Sequence, residues 1–274
     1  IWLSPGLSNS YLLATDEGRV VINSGMGFEG PLHRRSYDAV HDAPIRALLF
    51  TQGHYDHVGG ADHLRADDTE LIAQENFRVW RADNERLEAF RSRNAAFAWI
   101  DAILAAMEYA RSVGAGDVPQ ARPEPTTTFR DRLELTVGGR ELHLIATPGG
   151  ETFDSMVVWL PESRTLFSGN LTGPLFGHVP NLVTIRGDRY RDALTYIDSL
   201  QLLVDLRPDT LLTGHFDPIV GADRVVEEAV AMQDAMRWVH DRTVDGMNAG
   251  ADVHTLMRDG RVPAHLDVGE GYGK

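Results

Sequence analysis

The stretch Thr51-Gln52-Gly53-His54-Tyr55-Asp56-His57-Val58-Gly59-Gly60 decides the fold of this chain. It places two imidazoles and a carboxylate within four positions, directly after the apolar run 45–50, which is typical of a buried strand. A loop at the end of a strand can direct these side chains at one point, and histidine and aspartate are common ligands of divalent metals. We therefore predict a metal site in this loop rather than an ordinary polar turn.

Composition limits the classes of partner. The chain has 274 residues, 43% of them hydrophobic, which suits one large or two small globular domains. Lys and Arg number 26 against 40 Asp and Glu, so the net charge of −14 argues against nucleic acid and against an anionic membrane surface. The chain has no Cys, so any metal must be bound by nitrogen and oxygen atoms. No apolar run reaches the length of a membrane span.

The two ends of the sequence suggest a longer polypeptide. The chain begins with Ile1 instead of an initiator Met, shows no signal peptide, and ends at Lys274 without a natural stop. We expect more chain beyond both ends. The compartment stays open, and we expect a soluble protein of the cytoplasm or the periplasm.

Strand and helix signals alternate in two similar halves. The first fifty residues are predicted to form strands joined by turns, and a second strand-rich block is predicted between positions 132 and 168, with one more strand at 210–213. Helices are predicted at 61–65, 77–113 and 190–206, and from 225 onward. This order predicts an α/β protein: a four-layer αββα sandwich of two mixed β-sheets with helices outside.

The predicted helical region 77–113 contains large apolar residues at steps of three and four. Core packing is the simplest interpretation, and a hydrophobic wall or lid over a substrate site is the alternative. Asn94 interrupts the apolar face, so one helix or two helices both fit the pattern. The residues concerned are Leu87, Phe90, Phe97, Ile100, Ile103, Leu104 and Met107.

Three further predicted strands each end in a residue that could join the metal site: Glu151, Asn170 and His215. Asp217 either orients the ring of His215 or is exposed to solvent. The remaining histidines outside the 170–187 segment lack ligand-type neighbours at useful spacing, and we interpret them as structural: His33, His41, His63, His143, His240, His254 and His265.

Taken together and in this order, these motifs resemble the metallo-β-lactamase superfamily, and within it the alkylsulfatase branch. That branch has Glu at the position of Glu151, and its Asn-Leu-x-Thr-x-Arg-Gly motif is similar to residues 181–187. Residues 241–250 resemble its dimerisation region. The resemblance implies a metallo-β-lactamase fold, with a catalytic domain at 1–220, a helical dimerisation-like segment at 221–274, and a homodimer.

The resemblance also implies roles for individual residues. One ion would be held by Gln52, His54 and Glu151, the other by Asp56, His57 and His215, with Asn170 placed to bridge them. Two zinc ions are the first choice, and iron or manganese also accept these ligands. The predicted catalytic residues are Asp56 and His178. His178 is a weak candidate for the proton donor to the leaving group, and a structural role is the alternative. Substrate binding falls on Asn181 and on Arg186, whose planar guanidinium suits a sulfate or carboxylate.

Two positions depart from the family pattern. Gln52 stands where the family has His, and Asn170 stands where it has an acidic bridging residue. Neutral amides are weaker ligands, and only Asp56 and Glu151 would offset the charge of two divalent ions. We expect weak metal binding with one position partly filled, and we expect Gln52→His with Asn170→Asp to tighten it.

The predicted function is a metal-dependent hydrolase that uses metal-activated water on alkyl sulfate esters, small anionic substrates with an apolar tail. Three alternatives stay open: a hydrolase of another ester such as a lactone or thioester, a di-iron oxidative enzyme, and a degenerate binding protein without catalysis. The metal content per chain is the first measurement: about two ions would support a dinuclear site, and one or none would favour a mononuclear or non-catalytic protein. Colour of the purified protein would separate an iron enzyme from a zinc hydrolase.

Overall fold

Two six-stranded mixed sheets form the centre of the fold. The computed structural model describes residues 1–116, 118–172 and 187–268, except for the side chains of residues 95–99. In spatial order, the first sheet contains β1 (Trp2–Ser4), β2 (Ser10–Thr15), β3 (Gly18–Ile22), β4 (Ile45–Leu49), β5 (Glu70–Gln74) and β6 (Thr127–Phe129). The second contains, in chain order, β7 (Arg132–Val137), β8 (Arg140–Ala146), β9 (Met156–Leu160), β10 (Thr165–Gly169), β11 (Thr210–Thr213) and β12 (Ile219–Val220). Its spatial order is the reverse, from β12 to β7.

Both sheets mix parallel and antiparallel pairs. In the first, the pairs β3–β4, β4–β5 and β5–β6 are parallel, while β1–β2 and β2–β3 are antiparallel. In the second, only β10 and β11 are parallel. The inner faces of the two sheets bury one apolar cluster, in which Phe167 meets Tyr11 edge to face at 5.2 Å between ring centroids.

Helices cover both outer faces. On the first sheet lie α1 (Gly30–Asp38), α2 (Tyr55–Val58), α3 (Ala61–Leu64) and the start of α4 (Phe77–Ser112). On the second lie α5 (Ala193–Leu206) and α6 (Ala222–Asn248), followed along the chain by α7 (Val253–Asp259). The four-layer αββα sandwich predicted from the sequence is confirmed.

Helix α1 corrects the prediction that the first fifty residues form only strands and turns. The sequence signal is weak because α1 buries only Gly30, His33 and Tyr37. Tyr37 is nevertheless fully buried, and its hydroxyl donates to Ser10 Oγ at 2.6 Å. The packing and the hydrogen bond of Tyr37, and not a long apolar stripe, therefore fix this helix on the sheet.

Helix α4 is continuous over 36 residues, so Asn94 does not divide it. The amide of Asn94 donates to the backbone oxygen of Phe90 at 2.9 Å, one turn earlier. The prediction that its apolar residues pack in the core is wrong for four of them. These residues expose between 39% and 53% of their surface: Leu87, Phe90, Ile100 and Leu104. Most of α4 therefore extends beyond the core of the first sheet.

Helix α6 joins the predicted second segment to the rest of the chain. Its residues Val225, Ala229, Met232 and Met236 are buried in one apolar cluster with Leu200 of α5. Farther along the same helix Val244 is 41% exposed, so this buried apolar face ends before it. No helix within the described ranges has both the length and the apolar character needed to cross a membrane.

Buried His33 makes folding sensitive to acid. It lies on the buried side of α1, its Nδ1 is 2.7 Å from Ser4 Oγ, and burial lowers its pKa to about 4. Because the unfolded chain takes up a proton on this ring near pH 6.5, the stabilisation from neutral His33 is complete above that pH and is lost as the pH falls toward 4.

We expect His33→Gln to reduce the fall in the free energy of unfolding between pH 6.5 and 4 by about 3 kcal/mol. Urea titrations at several pH values measure this slope, and His254→Gln, at an exposed position, is the matched control. Equal slopes for His33→Gln and the unmodified chain would contradict the assignment.

Candidate metal centre

The candidate site lies where loops from both sheets meet. Residues 52–57 follow β4, Glu151 follows β8, Asn170 follows β10 and His215 follows β11. Gly53 lets the first loop pass close to α4, because an added Cβ would lie 2.5 Å from Trp80 Cε3. The structure thus brings all seven predicted metal ligands into one region, arranged in two groups.

The first group consists of Asp56, His57 and His215. Asp56 Oδ2 lies 3.5 Å from His57 Nε2 and 3.7 Å from His215 Nε2. One potential ligand atom from each residue falls within 4.8 Å of the others. Ligands at about 2.0–2.2 Å from a tetrahedral zinc lie roughly 3.3–3.6 Å apart, so these spacings suit one divalent ion.

The ring of His215 is oriented by the backbone. Its Nδ1 donates to the carbonyl of Leu7 at 2.6 Å, which leaves Nε2 without its proton and directed at Asp56. The carbonyl of Leu7, and not Asp217, therefore orients the ring of His215. Asp217 is exposed to solvent, which was the other interpretation of this residue. Glu29 in turn holds this loop by accepting the backbone N–H of Leu7 at 2.6 Å. Burial is the main reason that the pKa of Glu29 rises to about 7.

His57 is completely buried, and neither of its ring nitrogens has a hydrogen-bond partner among the described residues. Burial lowers its pKa to about 4, so the ring is neutral near pH 7 and can bind a cation. Burial alone would raise the pKa of Asp56, but the neighbouring His57 and His215 outweigh it and hold that pKa below its ordinary value. A neutral ring with no partner beside an ionised carboxylate fits a divalent ion.

The second group consists of Gln52, His54, Glu151 and Asn170, and its members bond to one another. Gln52 Nε2 lies 2.9 Å from His54 Nδ1 and donates to Glu151 Oε2 at 2.8 Å. Asn170 Nδ2 donates to the same carboxylate oxygen at 2.5 Å. The carbonyl oxygens of both amides are buried and accept no hydrogen bond within the described part of the chain.

Two arginines that the sequence analysis did not select lie beside this second group. Arg191 Nη2 is 3.9 Å from Glu151 Oε1, and Arg91 Nη2 is 3.5 Å from Asp188 Oδ1. Asp188 Oδ2 is 3.8 Å from His54 Nε2, so both arginines reach the site through acidic partners. Arg191 could have been noticed five positions after Arg186, but Arg91 arrives from α4 with no motif to mark it.

Aromatic side chains form one wall of the site. The ring of Trp80 meets that of His54 edge to face at 5.2 Å, and the guanidinium of Arg91 lies 5.6 Å from the Trp80 ring centroid. Among the described side chains, the predicted hydrophobic wall from the 77–107 region therefore contacts His54 only through the first turn of α4, where Trp80 lies.

Some predicted residues are not placed beside this site. His178, Asn181 and Arg186 lie outside the described residues, so their roles stay predictions. His143 does have ligand-type neighbours, contrary to the prediction: strand pairing brings Glu134 opposite it, and Glu141 lies two residues earlier on the same face of β8. This surface cluster on β7 and β8 is largely exposed, and Glu141 Oε1 is 2.5 Å from His143 Nε2.

The chain is similar in sequence and in fold to several known proteins. Residues 3–215 match the sequence model of a family described as the metallo-beta-lactamase superfamily. Over 93% of its length the chain is 27% identical to the linear primary-alkylsulfatase of Pseudomonas sp. (strain ATCC 19151), and the match covers 50% of that protein. Over 94% of its length it is 24% identical to the atrochrysone carboxyl ACP thioesterase of Aspergillus fumigatus, covering 70% of that protein.

A solved structure shows the same fold. The stereoselective inverting sec-alkylsulfatase from Pseudomonas sp. superimposes with a TM-score of 0.80 at 22% identity, over 97% of this chain and 45% of that one. The chain therefore spans between about a third and a half of the length of the alkylsulfatases that it matches.

Proposed function

Because the chain belongs to the metallo-beta-lactamase superfamily, we propose that it is a metal-dependent hydrolase of organic sulfate esters. The observation that carries the proposal is the group of Asp56, His57 and His215, whose spacing and protonation suit a divalent ion. Zinc is the first choice of metal, and iron or manganese would also accept these ligands. Such an ion, when bound, would act as a Lewis acid and make water acidic enough to attack near neutral pH.

The chain's own residues prepare this chemistry. The Leu7 carbonyl fixes the tautomer of His215, and burial keeps His57 neutral. Asp56 supplies the negative charge between the two rings. Since packing holds His57 and a hydrogen bond holds His215, these two rings need little reorganisation when the ion and the substrate bind.

The sulfate ester as substrate class is supported by the alkylsulfatase relatives. Arg91 and Arg191 lie at one side of the site, each beside a carboxylate, so the positive charge that attracts a sulfate group would come from the bound ion and from Arg186. Arg186, by its resemblance to the family motif, would grip the sulfate group, with Asn181 beside it and His178 as a weak candidate proton donor. An apolar tail would then extend along the aromatic side of the site near Trp80.

The test is release of inorganic sulfate from dodecyl sulfate by the zinc-loaded protein, measured beside a lactone and a thioester. We expect sulfate release that a chelator abolishes and that added zinc restores. A thioester or lactone turned over faster than the sulfate ester would favour the second candidate function, which the similarity to a thioesterase supports. Absence of turnover with metal bound would favour the non-catalytic alternative. A coloured, iron-containing protein would favour the di-iron oxidative enzyme.

Arg186→Lys tests the recognition of sulfate. The variant keeps the charge but loses the two parallel hydrogen bonds of the guanidinium, so we expect KM for dodecyl sulfate to rise by about 10-fold or more. Steady-state kinetics measure this, and Arg164→Lys, on an exposed arginine paired with Asp209, is the control. An unchanged KM would remove Arg186 from the substrate site.

We also propose that the protein forms a homodimer and that residues 221–274 contribute to it, since residues 241–250 resemble a dimerisation region. The start of that segment is buried against α5, while Met247 and Val253 are exposed near its middle. Analytical ultracentrifugation gives the mass: a monomer at all concentrations would contradict this proposal.

A further inference from the structure

We propose that each chain binds one divalent ion, at Asp56, His57 and His215, and that the His54 half of the site is a hydrogen-bonded amide–carboxylate cluster in place of a second ion. The inference rests on the proposed metal-dependent function. It goes beyond it by assigning Gln52 and Asn170 a role as hydrogen-bond donors and not as weak ligands.

The direction of the amides is the first argument. Glu151 Oε2 accepts from both Gln52 Nε2 and Asn170 Nδ2, at 2.8 and 2.5 Å. An ionised carboxylate only accepts hydrogen bonds, so the nitrogen of each amide, and not its oxygen, faces it. An amide nitrogen is not a metal ligand, and these two donors occupy the lone pairs of Oε2 that an ion would need.

The orientation of Asn170 agrees with this assignment. Its Oδ1 lies on the side of Gly214, where an added Cβ would fall 2.1 Å from that oxygen. The atom that could bind an ion is therefore directed toward the end of β11, and the nitrogen is directed toward Glu151.

The position of Gln52 is the second argument. Glu151 Oε2 and His54 Nδ1 are 3.4 Å apart, and Gln52 Nε2 lies within 2.9 Å of both. Its two hydrogens can serve these two acceptors at once. An ion shared by His54 and Glu151 would compete with the Gln52 amide for the same pair of acceptor atoms.

Charge is the third argument. Arg191 lies 3.9 Å from Glu151, and Arg91 lies 3.5 Å from Asp188, so the two carboxylates that form ion pairs with His54 each have a positive partner. All four side chains are at most 23% exposed. A second divalent ion would add two positive charges where the carboxylates are already paired, and repulsion at such distances is costly in a partly buried site. Asp56, by contrast, has only imidazoles beside it among the ion pairs of this group.

The first experiment counts ions. The purified full chain is equilibrated with excess zinc, passed over a desalting column and analysed by plasma mass spectrometry. We expect one zinc per chain for the unmodified protein and two for the double variant Gln52→His with Asn170→Asp. The control pair Gln201→His with Asn248→Asp makes the same changes on exposed residues and should keep one zinc.

The second experiment locates the ion. We expect His54→Ala to keep one zinc per chain and His215→Ala to lose it. Circular dichroism of each variant verifies the fold, and the count on the unmodified chain decides between one and two ions even where a variant fails to fold.

The outcomes are distinguishable. Two zinc ions in the unmodified chain, one in the folded double variant, or loss of zinc in His54→Ala would each overturn the inference while leaving a metal-dependent hydrolase intact. No zinc in the unmodified chain would overturn the proposed function and the inference together.

Discussion

Replacing Asp56 by Asn is expected to lower kcat/KM for the sulfate ester about 1000-fold and to weaken zinc binding at least 100-fold. Asp56 is the only carboxylate in the group formed with His57 and His215, and it lies within 3.7 Å of both rings. Asn keeps the shape of the side chain but removes its charge and places an N–H₂ group beside the rings. The loss of about 4 kcal/mol in transition-state stabilisation then follows from the weakened hold on the ion.

The control is Asp62→Asn, which removes a carboxylate from α3 six positions later on an exposed surface, where it pairs with Arg65. Competition with a fluorescent zinc chelator measures the affinity. Initial rates at one zinc concentration that saturates only the unmodified protein measure kcat/KM, and a zinc titration of the variant follows. If Asp56→Asn bound zinc as tightly as the control did, Asp56 would not be a ligand. If zinc alone were restored at high concentration but activity were not, Asp56 would act in catalysis beyond holding the ion.

The layers of this fold could be predicted from the sequence because its strands are short apolar runs ended by glycine and polar residues. Strand β4 and the ligand-rich loop after it are found where the apolar run 45–50 and the glycines after it indicate. Helix α1 could not, since only three of its nine residues are buried and two of those, His33 and Tyr37, make polar contacts. Its stabilisation is tertiary, and no periodic signal encodes it.

The burial of a charged side chain, that of Arg19, could not be predicted from the sequence either. Arg19 looks like the exposed residue of a strand, yet it is 1% exposed and donates to Asp38 at 2.7 Å and to the carbonyl of His41 at 2.7 Å. Both partners belong to the end of α1 and the turn after it, which the sequence analysis did not recognise as a helix. Because α1 was not predicted, the buried environment of Arg19 could not be predicted either.

At the site, residue type and strand ends sufficed to select Asp56, His57 and His215, because ligand chemistry restricts the candidates to few residue types. The direction of an amide does not follow from its position in the sequence. Gln52 becomes a donor because Glu151, 99 residues later, presents a carboxylate to it, and Asn170 adds the second donor. Gln52 could be identified as a departure from the family pattern, but its chemical role depends on contacts between loops of the two sheets.

Phe167→Ala is expected to lower the free energy of unfolding by about 3–5 kcal/mol, a large share of the stability of a domain of this size. Phe167 is 1% exposed at the centre of the cluster between the sheets, and its ring lies edge to face on Tyr11. The hydroxyl of Tyr11 donates to the carbonyl of Thr213 at 2.7 Å, two residues before His215. The cavity left by Phe167 would thus remove packing from the tyrosine that connects the first sheet to the end of β11.

Urea denaturation followed by circular dichroism measures this loss, and Tyr109→Ala is the control, because that aromatic residue on α4 is 65% exposed and should change stability by about 0.5 kcal/mol or less. Zinc affinity measured in the absence of urea adds a second readout. If packing between the sheets positions His215, the affinity falls in Phe167→Ala and not in Tyr109→Ala, whereas a loss of stability with unchanged affinity would mean that the Leu7 carbonyl alone holds the ring in place.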